Sequence, residues 1–232
     1  MENSKKMKIT EELAELIGAI IGDGNIYYNQ KIKKYYVEIT GNINKEREYF
    51  KHLSNIFFNI LGKKPNIREG GRGLRLRIYS KEFVEFLVKD LNMHPNKGKV
   101  NVVIIPAQIV SKDWNIIKSC LRGISDTDGS LFLSKKGNIE EYPSIEISTI
   151  SENLAHQMKE LISSRYRIGF RTFKLPTKTT KYTISINGYK EVNKWINDIG
   201  FSNSKHLQKY KNWVEGDLNT RHHELQSCTL PG

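Results

Sequence analysis

The stretch Leu16-Ile-Gly-Ala-Ile-Ile-Gly-Asp-Gly24 returns, in degenerate form, as Leu121-Arg-Gly-Ile-Ser-Asp-Thr-Asp-Gly129, 105 residues later. Val37-Glu-Ile-Thr40 recurs as Ile145-Glu-Ile-Ser148, and Leu91-Asn-Met-His-Pro-Asn-Lys97 matches Ile199-Gly-Phe-Ser-Asn-Ser-Lys205, both at an offset of 108. Three colinear matches indicate a duplicated unit. The three-residue change in offset falls where Lys135-Lys136-Gly137-Asn138 predicts a longer loop.

Each copy carries the same order of patterns. Leu13, Leu16, Ile17, Ile20 and Ile21 have helical spacing over about 10–22, with Thr10 at its start. Asn25–Asn29 and Tyr35–Gly41 are rich in strand formers. A helix is predicted over Asn44–Leu61 with Gly62 as its stop, then a hairpin of Pro65–Glu69 and Leu74–Tyr79, then a helix from Ser80 to Leu91. The second copy predicts helix Trp114–Thr127, strands Ser130–Lys135 and Ser144–Thr149, and helix Ser151–Arg165. Strands Gly169–Leu175 and Lys181–Asn187 and helix Tyr189–Ile199 complete it. The expected class is α+β: two αββαββα repeats, each with a four-stranded antiparallel sheet. The expected boundaries are a first repeat over 1–93, a linker over 94–112 carrying Pro95, Gly98 and Pro106, a second repeat over 113–216, and a tail over 217–232.

Within the repeated stretch, Gly18 and Gly22, and likewise Gly123 and Thr127, are four apart and share one helical face, which lets two backbones approach closely. Glycine inside a helix costs roughly 1 kcal/mol relative to alanine, so two in one helix point to close packing. These four residues are the expected domain interface, and Gly24 and Gly129 are expected to end the helices in the left-handed conformation. Packed side by side, the helices bring Asp23 and Asp128 together at two negative dipole ends. A divalent cation turns that repulsion into attraction, and an all-oxygen donor set with open positions suits Mg²⁺.

Lys plus Arg number 37 against 25 Asp plus Glu, a formal charge of +12 over 232 residues. The excess is shared, with 19 basic and 12 acidic residues up to position 110 and 18 and 13 beyond it. Both halves are thereby suited to a polyanion. Strand alternation places the charge: Leu74, Leu76 and Ile78 alternate with Arg75 and Arg77, Val37 and Ile39 with Glu38 and Thr40, Ile145 and Ile147 with Glu146 and Ser148. Phe173 and Leu175 flank Lys174 in the same way. One face of each sheet then packs on helices while the other, polar and basic, fits a DNA major groove. No run of about 18 apolar residues is present, which excludes a membrane helix. Two cysteines, Cys120 and Cys228, and no apolar leader behind the N-terminus point to an intracellular, reducing compartment, whether cytoplasm, nucleoid or organelle.

The two nonapeptides and the duplicated αββαββα order resemble the single-chain LAGLIDADG homing endonucleases, over about Thr10–Trp213. The resemblance implies a site-specific endonuclease that hydrolyses one phosphodiester in each strand of double-stranded DNA at a long asymmetric target, as a monomer with pseudo-twofold symmetry. It implies metal at Asp23 and Asp128 with main-chain carbonyls of Gly22 and Thr127, Mg²⁺ supporting cleavage and Ca²⁺ binding without it. Asp126 has Ile21 as its counterpart and is given no catalytic part. The family's lysine near each scissile phosphate falls on Lys97, with Lys99 as its rival, and on Lys205. Base contacts are expected from Glu38, Thr40, Arg75, Arg77, Glu146, Ser148 and Lys174, and phosphate contacts from Arg72, Lys178 and Lys181 near loops. Alternatives of the same fold are a maturase that binds its own intron RNA and a noncatalytic DNA-binding descendant; retention of both aspartates favours the nuclease. An intein-embedded enzyme is disfavoured by the Met start and the Leu-Pro-Gly end. His222-His223 with Cys228 is expected to lie in a disordered tail rather than to bind metal.

Overall fold

A computed structural model describes residues 7–70, 73–95, 103–206, 208, 210 and 211. The first half runs α1 (Glu11–Asp23), β1 (Gly24–Asn29), β2 (Lys34–Asn42), α2 (Arg47–Leu61), β3 (Asn66–Gly70), β4 (Gly73–Tyr79) and α3 (Lys81–Glu85), which continues as a π turn over Phe86–Asp90. A short helix α4 (Ala107–Val110) lies in the expected linker. The second half repeats the order with α5 (Trp114–Asp128), β5 (Gly129–Lys136), β6 (Ile139–Thr149), α6 (Glu152–Ser163), β7 (Ile168–Lys174), β8 (Thr180–Asn187) and α7 (Tyr189–Asp198). Two antiparallel four-stranded sheets result, ordered β1-β2-β4-β3 and β5-β6-β8-β7. The αββαββα expectation holds in both halves. The expected long loop at Lys135–Asn138 is instead a tight turn between β5 and a β6 that begins at Ile139. Its extra length goes into the strands, with a bulge between Ser134 and Lys136.

Local chemistry fixes the helix ends. Thr10 Oγ1 accepts the Leu13 amide at 3.2 Å, and Ser80 Oγ accepts that of Phe83 at 3.2 Å. Asp113 and Ser151 cap α5 and α6 in the same manner. Helix α2 starts later than Asn44 because Asn42 to Glu46 fold into a turn, held by Asn42 Oδ1 accepting the Asn44 and Lys45 amides. Gly62 ends it at φ 69°, a left-handed value that favours glycine.

Helices α1 and α5 lie against each other at the centre. Every residue of α1 from Leu13 to Ile21 is buried, not only the apolar stripe. Its stripe packs on the first sheet, through Val37, Ile39, Leu74, Leu76 and Ile78, while Ala14, Glu15, Gly18 and Ala19 are covered from the other side. A helix buried all round must be held by neighbours on every face. Here α5 supplies the second one.

Candidate active site and nucleic-acid interface

The α1–α5 contact is built on glycine. A Cβ added at Gly18 would stand 2.1 Å from the Cys120 carbonyl oxygen and 2.9 Å from the Ile124 amide nitrogen. A Cβ at Gly123 would stand 2.0 Å from the Glu15 carbonyl oxygen and 2.8 Å from the Ala19 nitrogen. Glu15 and Ala19 are the repeat counterparts of Cys120 and Ile124, so the contact is isologous within one chain. At the last turn the symmetry breaks, because Thr127 Oγ1 fills the notch at Gly22, 2.0 Å from where its Cβ would be. That hydroxyl is anchored on the Gly123 and Ile124 carbonyls at 3.1 and 2.9 Å.

The glycines after the aspartates differ from expectation. Gly24 has φ −87° and Gly129 φ −92°, both extended, so neither ends its helix in the left-handed region. The chain passes directly from helix into strand. Glycine is required by proximity instead, since a Cβ would stand 2.6 Å from the Ile20 carbonyl oxygen or 2.2 Å from that of Ser125.

This packing brings Asp128 against the last turn of α1. An Asp128 carboxylate oxygen lies 3.3 Å from the Cβ position of Gly22, the residue preceding Asp23. Both acids close their helices, where the Gly24 and Gly129 amides still bond the Ile20 and Ser125 carbonyls but no helical amide remains for those of Gly22 and Thr127. Among the described residues no group of three or more His, Cys, Asp or Glu side chains is placed to hold a metal ion. The two carboxylates and the terminal carbonyls of Gly22 and Thr127 are hard oxygens, of the kind that could hold Mg²⁺, Mn²⁺ or Ca²⁺ and leave positions for ligand oxygens.

A cavity of about 320 Å³ opens beside Asp128, lined among others by Gly22, Ser148, Ser151 and Lys181. Thr40 and Ser148, matching positions of β2 and β6, both sit near the helix ends. Thr40 Oγ1 donates to the Asp23 carbonyl at 3.5 Å, and Ser148 shares a 3.1 Å hydrogen bond with Thr183. Lys181 is the second residue of β8, next to the β7–β8 turn, as expected. Lys178 is in the β7–β8 turn at φ 62°. Arg72, Lys97, Lys99 and the tail over 217–232 lie outside the described residues.

Lys205 is held across the halves. Its Nζ donates to Glu46 Oε1 at 2.8 Å, and Asn203 Nδ2 donates to the same oxygen at 2.8 Å. Burial pushes the Glu46 carboxyl up, but the Asn42 amide, Lys205 and Asn203 outweigh it and hold the group below its usual range. Asp126 anchors the segment that carries this lysine: its carboxylate accepts the Ser202 and Asn203 amides at 3.1 and 3.0 Å. Burial pushes Asp126 up to about 8 against those two bonds. Beside it, Glu15 takes His52 at 2.6 Å and Arg122 at 3.2 Å. Sequence reading missed Glu46, Glu15 and His52, because charges on one helix give no sign of partners on another.

The strand registers sort the sheet faces. Glu38 pairs with Arg77, and Thr40 with Arg75; Asn66 faces Arg77, and Arg68 faces Arg75. These side chains lie on the face away from the helices, joined by Tyr27, Tyr36 and Tyr79. Tyr27 stacks on Tyr36 at 4.8 Å between centroids, Tyr36 meets Tyr79 at 5.5 Å, and the Arg77 guanidinium lies 4.5 Å from the Tyr36 ring centre. On the second sheet, Glu146 faces Ser185 and Ser148 faces Thr183. Lys174 departs from expectation. It pairs with Thr180 and shares the helix-side parity of Phe170, so Arg171 and Phe173 occupy the outer face. Apolar flanks misled there because β7 runs past the edge of the core, leaving Phe173 50% exposed.

No family model matches the chain. Among solved structures, I-DmoI in complex with DNA and Mn superposes with a TM-score of 0.62 at 16% identity, over 84% of this chain and 99% of that one. The meganuclease I-SmaMI bound to uncleaveable DNA gives a TM-score of 0.56 at 15% identity, over 89% and 90%. The fold is the two-domain LAGLIDADG homing endonuclease fold. By sequence, the Replication factor C small subunit of Methanocaldococcus jannaschii is 30% identical over 205 residues, 86% of this chain and 10% of that protein. A DNA polymerase of Thermococcus sp. is 27% identical over 163 residues, 68% of this chain and 9% of that protein. The chain thus spans about a tenth of the length of these two relatives.

Proposed function

We propose that the protein is a metal-dependent, site-specific DNA endonuclease that cuts both strands of a long asymmetric duplex as a pseudosymmetric monomer. One observation carries this reading: the glycine-notched α1 and α5 close on each other so that Asp23 and Asp128 share one end of the interface, between two sheets with polar outer faces. The neighbouring solved structures named above hold DNA, and I-DmoI structures hold Mn, Mg or Ca, which supports a divalent cation here.

Asp23 and Asp128, with the Gly22 and Thr127 carbonyls, would hold the metal. Bound there, it would supply Lewis acidity toward an attacking water and toward the phosphate. The chain itself supplies fixed geometry. The α1–α5 contact fixes the two helix ends against each other, so a cation bound there would meet both carboxylates. Thr40, bonded to the Asp23 carbonyl, and Ser148, in the cavity beside Asp128, join the sheets to the helix ends. Lys181 puts a cation in the cavity beside Asp128, where a backbone phosphate would lie. Lys205, oriented by Glu46, contributes a second. The outer faces carry Glu38, Arg75, Arg77 and Glu146 toward base edges.

Selection from a randomised duplex library tests this. One long preferred site, cut in both strands with Mg²⁺ and bound uncut with Ca²⁺, is the expected outcome. Asp23→Asn and Asp128→Asn should each lower cleavage at least about 100-fold while site affinity in Ca²⁺ stays within about threefold. Full cutting by either variant refutes the assignment. Recovery of a structured RNA but no duplex would favour the maturase reading instead.

A further inference from the structure

The outer faces of the two sheets are not equivalent. On the second, Ser144 donates to Asn187 at 2.9 Å, Asn187 to Ser185 at 3.0 Å, and Ser148 bonds Thr183 at 3.1 Å. Arg171 is bound by Glu146. Its polar groups are largely satisfied by one another. On the first, Arg68 and Arg75 stand directly opposite each other on β3 and β4. Like charges in that position destabilise a sheet. Nothing local neutralises them, because strands β1 to β4 contain two carboxylates and both are engaged, Glu38 by Arg77 and Glu69 by Arg47. Among the described residues neither Arg68 nor Arg75 makes an ion pair. Both are exposed, and with Asn66, Arg77, Glu38 and Tyr79 they line a groove of about 280 Å³. Arg77 is held in it by the Tyr36 ring, by Glu38 and by the Tyr79 hydroxyl.

We propose that Arg68 and Arg75 read guanines in the major groove of one half-site, making the first sheet the anchoring half of the interface. An unneutralised arginine pair on a strand face is a folding cost that a ligand with paired acceptors offsets. Guanine presents O6 and N7 at the spacing of a guanidinium fork. The hydroxyl-lined second face, with its bonds already closed, contributes fewer such contacts. The inference rests on the reading that the sheets meet duplex DNA, and it adds which residues discriminate and which base they select.

The test is binding selection from a randomised duplex library in Ca²⁺, with wild type, Arg68→Gln and Arg75→Gln, read as base preference at every position. Wild type should enrich a site with guanines in one half. Each variant should lose preference for guanine at one or two adjacent positions, by about 5- to 150-fold, with the other half-site unchanged. Uniform weakening at every position would mean phosphate contact only and overturns the inference while duplex binding stands. If wild type enriches no duplex, the function reading fails first. A folding control is independent of DNA: Arg75→Gln should unfold at the same temperature as wild type or higher, because a repulsion is removed. A clear fall would reveal an internal partner for Arg75 and would also overturn the proposal.

Discussion

Gly18→Ala is the sharpest perturbation of the central interface. The added methyl would meet the Cys120 carbonyl at 2.1 Å and the Ile124 nitrogen at 2.9 Å, both main-chain atoms that no rotamer change can move. Ordinary contact needs about 3.5 Å, so α1 and α5 must separate by more than about 1 Å. A gap of that size forfeits a quarter to a half of each dispersion contact along the seam. Overpacking typically costs about 1–3 kcal/mol, at the upper end or beyond where backbone blocks relaxation. Better helix propensity returns about 1 kcal/mol. The net expectation is a loss of about 2–3 kcal/mol, or about 5–10 °C in Tm for a chain of this size. Thermal unfolding by circular dichroism measures it. Gly70→Ala, where a Cβ meets nothing within 4 Å, serves as control and should stay within about 0.5 kcal/mol. Gly123→Ala should match Gly18→Ala, and the double variant should fall short of additivity, since one separation relieves both clashes. A Gly18→Ala protein as stable as wild type would refute close backbone contact, and with it the reason for Asp23 and Asp128 to meet.

Three further expectations follow from the buried charges. The Glu15 hydrogen bond raises the His52 pKa, against burial. Burial raises Glu15, but His52, Ser202 and Arg122 outweigh it and leave the carboxyl lowered. The histidine's stabilisation is complete below its unfolded pKa of about 6.5 and is lost as pH rises through its raised folded value; the glutamate's is present above about 4.3 and lost on acidification. In urea titrations His52→Gln should therefore remove the fall in stability on the alkaline side, and profiles parallel to wild type would refute the pair. Asp126, pushed up to about 8 by burial, keeps its proton in the folded state where the unfolded chain has lost it, so it costs stability progressively as pH rises from about 4 to 8. Asp126→Asn should gain on wild type over that range, and a constant Tm difference between pH 5 and 8.5 would sink the assignment. Lys205→Met leaves the 7%-exposed Glu46 without its ammonium and should cost about 2–3 kcal/mol by chemical denaturation. Adding Glu46→Gln should recover part of that loss, whereas strict additivity would show that the two do not interact.

Repetition along the chain carried the fold. The matched nonapeptides and the period-2 strands gave all fourteen principal helices and strands, because hydrophobic spacing is a local signal and each element was seen twice. Errors came where a third partner sets the outcome. Gly24 and Gly129 looked like left-handed helix ends, but the chain enters a strand at once and glycine is there to clear a carbonyl. Lys174 looked outward-facing because parity was judged from two apolar neighbours, one of which lies beyond the core. Arg68 and the tyrosine row escaped notice because their meaning is lateral: Tyr27, Tyr36 and Tyr79 belong to three strands and become one surface only through register. The same holds for Lys205. Its position after the last helix could be aligned with Lys97, but its carboxylate partner comes from the other half, 159 residues earlier. A duplicated chain therefore shows what each half repeats. Where the halves lean on one another, as Glu46 does on Lys205 and Thr127 on Gly22, the repeat is broken, and the partner of each residue is legible only in the folded chain.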